Sequence, residues 1–291
     1  MEIYLVDGTY ELFRHYYAVP PARDAEGREV GAVRAVLASM MGMLKSGVTH
    51  LAVATDHVVE SFRNDLWDGY KTSEGVEPDL LAQFPVLEEV LAAAGIVVWP
   101  MLEFEADDAL AAGAALAARD SRVQRVLICT PDKDLGQCVS GTRIVQLYRR
   151  TNVILDEKGV EQKFGVLPES IPDYLALVGD SADGYPGLKG WGAKSSAAVL
   201  AKFRHIEAIP ASALEWGLKV AGAMTLAATL VRDRELALLF RRLATLRTDI
   251  PLFEDLDELR WHGPTAAFAE VGARLDAAVT VKKPAARLSR T

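Results

Sequence analysis

The sequence predicts an α/β fold in which a parallel sheet is wrapped by helices and followed by a mainly helical region. Three short apolar runs rich in β-branched residues are typical of buried parallel strands, and helical patterns lie between them. This alternation of strand and helix is typical of a parallel sheet covered by helices. The three runs are Ile3–Val6, Leu51–Ala54 and Val126–Cys129.

The remaining elements follow in order along the chain. A further apolar run, Ile96–Trp99, leads into a helix. After about residue 150, short helices alternate with glycine and proline, which predicts a second, mainly helical region. The helices are predicted at about Ala32–Lys45, Asp79–Ala94, Glu105–Arg119, Glu169–Val178, Lys194–Lys202 and Thr225–Arg242, with a turn-rich stretch at Gly179–Gly192.

These elements divide the chain into four expected parts. Residues 1–165 form the sheet core, and residues 166–250 form the helical region. Residues 251–280 are a carboxy-terminal segment that returns to the core. Residues 281–291 contain four basic residues and no acidic residue, which predicts a flexible basic tail.

Composition excludes several classes of protein. Half of the 291 residues are hydrophobic and a quarter are charged, as in a folded globular chain. No apolar run approaches the ~20 residues of a membrane span, and the first residues lack a basic leader and a cleavage site. We therefore expect a cytoplasmic protein. Cys129 and Cys138 form no CxxC pair, so zinc and a disulfide framework are poorly supported.

Acidic residues follow the predicted strands at the points where these strands end. The carboxyl ends of parallel strands meet at one edge of a sheet, where the functional crevice opens. Taken singly, these acidic segments also fit helix capping and surface turns. Gathered in one cleft, their carboxylates would repel each other, a conflict that divalent cations resolve. The predicted metal ligands are Asp7, Asp56, Glu105, Asp107, Asp108, Asp132, Asp134, Asp180 and Asp183.

The predicted ligand set consists of carboxylates, without histidine or cysteine. Such a set favours the hard ions Mg²⁺ or Mn²⁺ over zinc. Two of these ions held ~4 Å apart stabilise the attacking and leaving oxygens of an in-line phosphoryl displacement, so the expected substrate is a phosphodiester. The sequence contains no GxSxG motif and no phosphate-binding GxxxxGK motif, and its five histidines are scattered.

Six motifs occur in order along about residues 3–250. They are Leu5-Val6-Asp7-Gly8 with Leu12-Phe13-Arg14, Phe62-Arg63-Asn64-Asp65, Tyr70-Lys71, Glu105-Ala106-Asp107-Asp108, Asp132-Lys133-Asp134 and Gly179-Asp180-Ser181-Ala182-Asp183-Gly184-Tyr185-Pro186-Gly187. Together they resemble the bacterial 5′-nuclease domain related to flap endonucleases, found at the amino terminus of DNA polymerase I and as stand-alone exonucleases. The resemblance implies a PIN-like nuclease core that binds metal through the nine acids. Because no polymerase follows residue 291, it also implies a stand-alone enzyme.

The stretch Gly187–Arg204 differs in charge from the rest of the chain. It has four basic residues and no acidic residue, whereas the whole chain has a net charge of −8. Glycines let backbone amides approach a phosphate, and the following helix start adds partial positive charge. The stretch resembles the family's helix-hairpin-helix element, which grips the duplex backbone and binds potassium. Its candidate DNA-binding residues are Gly187, Lys189, Gly190, Gly192, Lys194 and Ser195.

The resemblance also implies roles for four residues near the cleft. Arg63 and Lys71 match catalytic positions at the scissile phosphate, where their charge stabilises the transition state. Arg14 and Tyr70 match positions that contact the terminal nucleotides. After Tyr70-Lys71 the family usually has an arginine, where this sequence has Glu74. We therefore expect the gateway over the active site to hold a single strand less strongly or by different groups.

The leading hypothesis is a metal-dependent 5′ nuclease, with 5′-3′ exonuclease and flap endonuclease activity, in replication or repair. Its expected partners are DNA 5′ ends, flaps and nicks, including RNA-primed ones, and it is expected to act as a monomer without membrane contact. Two alternatives stay open. One is a 5′ nuclease directed at RNA, which removes primers. The other is a structure-specific DNA-binding protein with weak turnover.

Overall fold

The computed structural model describes residues 1–276 and 279–280. Its strands are β1 (Glu2–Asp7), β2 (Ala22–Arg23), β3 (Leu51–Asp56), β4 (Val97–Met101), β5 (Arg125–Cys129), β6 (Ile144–Tyr148), β7 (Val153–Leu155) and β8 (Val279–Thr280). Six of them form one sheet in the order β4-β3-β1-β5-β6-β7, in which β7 alone is antiparallel to its neighbour. The short strands β2 and β8 pair separately.

The central strands are buried on both faces, as parallel sheets usually are. Leu51 and Val53 of β3 pack into the hydrophobic core on one face, and Ala52 and Ala54 pack into the core on the other. Because β1 lies between β3 and β5, the carboxyl ends of these three strands are adjacent. The chain reverses its direction of strand addition after β4, and such reversals open a crevice at the carboxyl edge.

Helices cover both faces of the sheet. In chain order they are α1 (Gly8–Ala18), α2 (Gly31–Lys45), α3 (Pro78–Leu81), α4 (Gln83–Ala93), α5 (Ala106–Ala117), α6 (Glu157–Phe164), α7 (Ile171–Val178), α8 (Ala193–Phe203), α9 (Ala223–Arg232), α10 (Arg234–Ala244) and α11 (Phe268–Asp276). Helices α1, α2, α4 and α11 contribute to one core, and α5 contributes to the other. None of the described helices has the length and apolar character needed to cross a bilayer.

The helices after residue 156 build a third hydrophobic core, apart from the two that cover the faces of the sheet. Trp216 and Phe240 are fully buried in it, and the ring of Tyr185 stacks on Phe240 with 5.5 Å between the ring centroids. This packing fixes the turn that follows α7. The turn also contacts the sheet side of the molecule, because the backbone N–H of Lys71 donates to the Asp183 carbonyl at 3.0 Å.

The predicted fold class, a parallel sheet wrapped by helices with a helical second region, is confirmed. Several details differ, among them the helices α6 and α11 and the short strands β2 and β8, which were not predicted. Helix α1 was not predicted, because it begins at Gly8 directly after β1 and leaves no loop to mark it. The helices predicted from about Thr225 to Arg242 are α9 and α10, separated at Asp233, whereas the predicted helix Asp79–Ala94 is divided into α3 and α4 at Ala82. The short strands β6 and β7 were not predicted.

The segment after residue 250 lies against the sheet core. Leu256 and Leu259 are buried beside α5, and the backbone N–H of Trp261 donates to the Thr49 carbonyl at 2.9 Å. Helix α11 packs on α4. The predicted basic tail, residues 281–291, lies outside the described residues, as do residues 277 and 278.

Helix α1 starts so close to β3 that only glycine fits at its first position. A Cβ atom on Gly8 would lie 2.7 Å from the carbonyl oxygen of Ala54 and 2.7 Å from Val53 Cγ1. We expect Gly8→Ala to lower the free energy of unfolding by ~1–3 kcal/mol, because strand and helix must move apart. Urea denaturation measures the change.

The matched control for this substitution is Gly42→Ala in helix α2. A Cβ atom on Gly42 meets no atom within 4 Å. Alanine favours the helix interior over glycine by ~1 kcal/mol, so this variant should be slightly more stable than the wild type. A Gly8→Ala protein as stable as Gly42→Ala would contradict the close approach of α1 to β3.

Candidate active site

The nine predicted metal ligands all lie on segments that begin at the carboxyl edge of the sheet or face it. Asp7 and Asp56 end strands β1 and β3. Asp132 and Asp134 follow β5, and Glu105 caps the amino terminus of α5, whose first turn holds Asp107 and Asp108. Asp180 and Asp183 lie in the turn after α7. Within this set, side-chain contacts distinguish three groups.

The first group is Asp134, Asp180 and Asp183. One carboxylate oxygen from each lies within 4.8 Å of the others. The Oδ1 atom of Asp134 is buried and has no hydrogen-bond partner among the described residues. An unpartnered buried carboxylate oxygen beside two further carboxylates is the donor set that a hard divalent cation requires. These residues therefore fit a divalent metal ion.

The second group is Asp7, Asp107 and Asp132, with Asp56 beside it. Burial raises the pKa of Asp7 to about 7, and the charges of Asp56 and Asp132 add to this rise, although two hydrogen bonds oppose it. These bonds come from the Tyr10 backbone N–H at 2.7 Å and the Thr130 hydroxyl at 2.8 Å. Neighbouring carboxylates thus resist simultaneous ionisation, which a bound cation would permit.

Asp107 and Asp56 show the same behaviour as Asp7. Burial, Asp132 and Asp7 raise the pKa of Asp107 well above its usual range. Burial raises the pKa of Asp56 to about 6, even though Lys71 favours its charged form. The Asp56 side chain also accepts a hydrogen bond from the Ala106 backbone N–H at 2.6 Å, which links β3 to the start of α5.

The third group is Arg63, Asp108 and Glu105, which form a buried ion-pair network. Arg63 donates to both carboxylate oxygens of Asp108 at 2.7 Å and to Glu105 Oε1 at 2.9 Å. Asp108 accepts two further bonds, from the backbone N–H groups of Glu105 at 3.0 Å and Arg247 at 2.9 Å. Four donors occupy its two oxygens. The structure therefore does not present Asp108 as a metal ligand, because protein donors take its lone pairs.

Arg63 and Tyr70 do not lie where the resemblance implied. Arg63 is 1% exposed and also donates to the backbone carbonyls of Leu243 and Thr245, at 2.8 and 3.2 Å. Its guanidinium joins α5 to the end of α10 and is not free to contact a scissile phosphate. Tyr70 is 4% exposed and its hydroxyl donates to Glu105 at 3.3 Å, so its ring is not free to stack on a base.

Lys71 lies between the first and third groups. Its Nζ atom is 2.6 Å from Glu105 Oε2 and 3.0 Å from Asp183 Oδ1, and its side chain remains 27% exposed. Burial would raise the pKa of Glu105, but Lys71 and Arg63 lower it to about 2. Glu105 is therefore ionised, and Lys71 is the predicted catalytic cation that stays open to a ligand.

The predicted DNA-binding hairpin is partly open and partly structural. Lys189 and Lys194 are exposed. Gly190, Gly192 and Lys219 line an open pocket with a volume of about 500 Å³. Ser195 caps helix α8, since its hydroxyl exchanges hydrogen bonds with the backbone of Gly192 at 3.0 and 3.1 Å.

Gly187 is buried against the backbone of Gly179, where a Cβ atom would lie 2.4 Å from the amide nitrogen. Its φ of 69° also favours glycine. The structure therefore assigns Gly187 to packing of the turn, without an exposed surface for DNA.

Arg14 and Glu74 lie outside the three carboxylate groups. Arg14, on α1, pairs with the buried Glu11 at 2.5 Å and keeps 29% of its side chain exposed. Glu74 is exposed in a loop without helix between residues 66 and 77. This loop is held by Glu60, whose Oε1 accepts hydrogen bonds from the Ser73 backbone and hydroxyl at 2.8 and 2.6 Å.

Three supporting residues were missed in the sequence. Lys133 forms an ion pair with Asp180 and lies 3.8 Å from Asp134 Oδ1. It stands between two predicted ligands in the sequence, so its position was a usable signal. Thr130 and Ser61 hold Asp7 and Glu105 through hydroxyl hydrogen bonds of 2.8 and 2.7 Å. Their partners are distant in the chain, so no local pattern marked them.

Two family models together match most of the chain. One, described as the 5′-3′ exonuclease N-terminal resolvase-like domain, matches residues 2–165. The other, described as the 5′-3′ exonuclease C-terminal SAM fold, matches residues 166–267.

Curated relatives and solved structures are similar to this chain over long ranges. A 5′-3′ exonuclease of Aquifex aeolicus is 36% identical over 210 residues, which is 71% of each protein. DNA polymerase I of Pseudomonas aeruginosa is 35% identical over 265 residues, 88% of this chain and 28% of the polymerase, so the chain spans little more than a quarter of that relative.

A solved structure of T5 D15 flap endonuclease, described as a pseudo-enzyme-product complex with DNA and metal ions, is similar with a TM-score of 0.63. It is 16% identical and covers 95% of this chain and 100% of that one. At this identity the likeness shows a common fold.

Removing Arg63 should destabilise the protein strongly, because two buried carboxylates would lose their counter-ion. We expect Arg63→Gln to lower the free energy of unfolding by ~3–5 kcal/mol. The control is Arg232→Gln, which breaks an ion pair with Asp233 in which the arginine side chain is 64% exposed. That variant should leave the free energy of unfolding almost unchanged, because solvent screens an exposed ion pair. Similar urea midpoints for the two variants would contradict a large contribution of the buried ion-pair network to the free energy of unfolding.

The clustered carboxylates should make the metal-free protein less stable as pH rises. Asp7, with a pKa raised to about 7, and Asp56, raised to about 6, bind more protons in the folded than in the unfolded state between their usual pKa and these values. The free energy of unfolding in EDTA should therefore fall from about pH 4.5 to about pH 7. Urea denaturation across this range measures it, and Asp107→Asn should reduce the slope. A free energy of unfolding that rises with pH over this range would contradict the prediction.

Proposed function

The chain belongs to the 5′-3′ exonuclease family, and from that premise we propose that it hydrolyses DNA phosphodiesters at 5′ ends and flaps with the help of divalent cations. Family membership confirms the resemblance read from the sequence. The observation that carries the proposal is the cluster of Asp134, Asp180 and Asp183, with an unpartnered buried oxygen on Asp134.

We propose Mg²⁺ or Mn²⁺ as the cation and two ions as the number bound. The first and second carboxylate groups supply one set of ligands each, while Asp108 holds Arg63. Bound cations would lower the pKa of a water molecule and stabilise charge on the phosphate oxygens. Two separate sets of oxygen ligands, neither containing histidine or cysteine, support this assignment.

Lys71 provides the positive charge that the protein itself brings to the reaction. Its Nζ atom is held between Glu105 and Asp183, and burial would lower its pKa, but these two carboxylates raise it well above its usual value. Lys71 therefore stays protonated and can stabilise negative charge on a phosphate beside the cluster. Arg63 acts as a positioning residue, because it holds Glu105 and so holds Lys71.

We propose that the helical hairpin grips the duplex backbone. Lys194 is exposed in the first turn of α8 and Lys189 is exposed in the loop before it, where backbone amides and the helix terminus also favour a phosphate. Residues 166–250 would thus bind the duplex while residues 1–165 carry out hydrolysis, and residues 251–280 brace the core. A potassium ion at the hairpin is part of this proposal.

The setting of the activity is also proposed. We place the protein in the cytoplasm, where it would act as a monomer on nicks and flaps in replication or repair. RNA-primed flaps are candidate substrates, because the phosphates that such contacts recognise are common to RNA and DNA strands. Glu74, exposed in the loop beside the site, would weaken the hold on a single strand by like-charge repulsion.

The decisive experiment is cleavage of 5′ flap and nicked duplexes labelled at the 5′ end. We expect products with Mg²⁺ or Mn²⁺ and none in EDTA. Asp134→Asn should lower the rate by ~100-fold or more, because the cluster loses a charged ligand. This variant should stay folded, since burial, Asp132 and Asp183 already raise the pKa of Asp134 well above its usual range.

The control for this experiment is Glu161→Gln, which neutralises an exposed carboxylate on α6. It should cleave at the wild-type rate. Equal rates for Asp134→Asn and Glu161→Gln would reject the proposed metal site. An RNA-primed flap that is cleaved faster than an all-DNA flap would favour primer removal. Tight flap binding without product in saturating Mn²⁺ would favour a binding protein.

A further inference from the structure

A basic pocket of about 260 Å³ lies directly behind Asp7. Two of its lining residues hold that carboxylate, because the backbone N–H of Tyr10 and the hydroxyl of Thr130 donate to Asp7. Three arginines also line it, namely Arg14, Arg149 and Arg150. The pocket is therefore adjacent to the second carboxylate group, and Tyr10 and Thr130 separate it from Asp7.

One buried acid balances part of this positive charge. Glu11 is 1% exposed and lies 2.5 Å from an Arg14 nitrogen and 2.9 Å from an Arg149 nitrogen. Burial opposes its ionisation, but hydrogen bonds and the charges of Arg14 and Arg149 lower the pKa of Glu11. Glu11 is thus charged, and three arginines around one carboxylate leave two positive charges in the lining.

The guanidinium groups around the pocket also have unused donors. Arg14 Nε is buried without a hydrogen-bond acceptor among the described residues, whereas Arg149 Nη1 lies 2.9 Å from Glu11 Oε1. Arg150 is exposed and forms no hydrogen bond or ion pair within the described part of the chain. Buried donors without an acceptor are rare and costly, and an anionic ligand at the pocket would supply the missing acceptor.

The turn between β6 and β7 puts Arg150 at the pocket. The backbone N–H of Thr151 donates to the Tyr148 carbonyl at 3.1 Å, and Asn152 adopts a positive φ of 54°. Arg149 is held in place on two sides, since its Nη2 donates to the Ser39 hydroxyl at 2.7 Å and its Nη1 lies 2.9 Å from Glu11 Oε1. Arg149 therefore supports the wall of the pocket, while Arg150 is the arginine that is free to move onto a ligand.

We propose that this pocket binds a phosphate group of the nucleic-acid strand, next to the phosphodiester held at the carboxylate cluster. The proposal rests on the proposed nuclease function. Arginine forks match the oxygens of a phosphate. A strand that approaches the cluster brings phosphates close to many carboxylates, and local arginines offset that repulsion. The bound group is either a 5′-terminal phosphate or an internal phosphodiester, which share this chemistry.

Arg150→Gln tests the pocket, with Arg119→Gln as its control. Arg119 is an exposed arginine after the end of α5, at the opposite edge of the sheet, so both variants lose one surface charge. Fluorescence anisotropy in EDTA and in calcium compares duplexes with a recessed 5′-phosphate or 5′-hydroxyl, labelled at the 3′ end. We expect Arg150→Gln to weaken binding by roughly three- to tenfold and Arg119→Gln to leave it unchanged.

The two substrates distinguish the source of the phosphate. If Arg150→Gln weakens binding of the 5′-phosphorylated duplex alone, the pocket takes the terminal phosphate. If it weakens both duplexes equally and lowers the salt dependence by about one phosphate contact, the pocket takes an internal phosphodiester. Equal affinities of Arg150→Gln, Arg119→Gln and wild type for both duplexes would overturn the proposal that the pocket binds a phosphate. Lack of cleavage by the wild type with Mg²⁺ would overturn the nuclease proposal alone, since binding is measured without turnover.

Discussion

Repulsion between carboxylates dominates the structure around the sheet edge. Nine acidic side chains lie there, and the cations within their contacts are Arg63, Lys71 and Lys133. Folding pays an electrostatic penalty to gather these acids, which is why several of them have raised pKa values. The backbone nonetheless holds them in place, because strand ends and helix starts at the centre of a buried sheet have little freedom to move.

The three cations divide the acidic set into parts with different chemistry. Arg63 donates to both carboxylate oxygens of Asp108 and to one oxygen of Glu105, and it is too buried to contact a substrate. Lys71 and Lys133 are partly exposed, and each bridges to a carboxylate of the turn after α7. The carboxylate group that suits a divalent ion keeps an unpartnered buried oxygen, Asp134 Oδ1, beside the two carboxylates that these lysines contact. The same kind of side chain therefore serves as a structural anchor at one position and as an open ligand a few residues away.

Positive charge is local in a chain that is acidic overall. The hairpin before α8 and the pocket behind Asp7 each combine exposed basic side chains with backbone held in a fixed turn. Net charge does not reveal such surfaces, because oppositely charged regions cancel in the sum. Arg149 and Arg150 are adjacent in the sequence, yet one braces the wall and the other is free.

The sequence by itself determined the strands β1, β3, β4 and β5, their alternation with helices, and the segments whose acids meet at the carboxyl edge, because hydrophobic period and strand ends are local properties. Asp7 and Asp134 were recognisable in this way. Only the tertiary structure decided which acids are free. Asp108 is satisfied by Arg63, 45 residues before it, and Arg63 also bonds to Leu243, 180 residues after it. Hydrogen-bond saturation depends on neighbours in space, so no local pattern distinguishes Asp108 from Asp107.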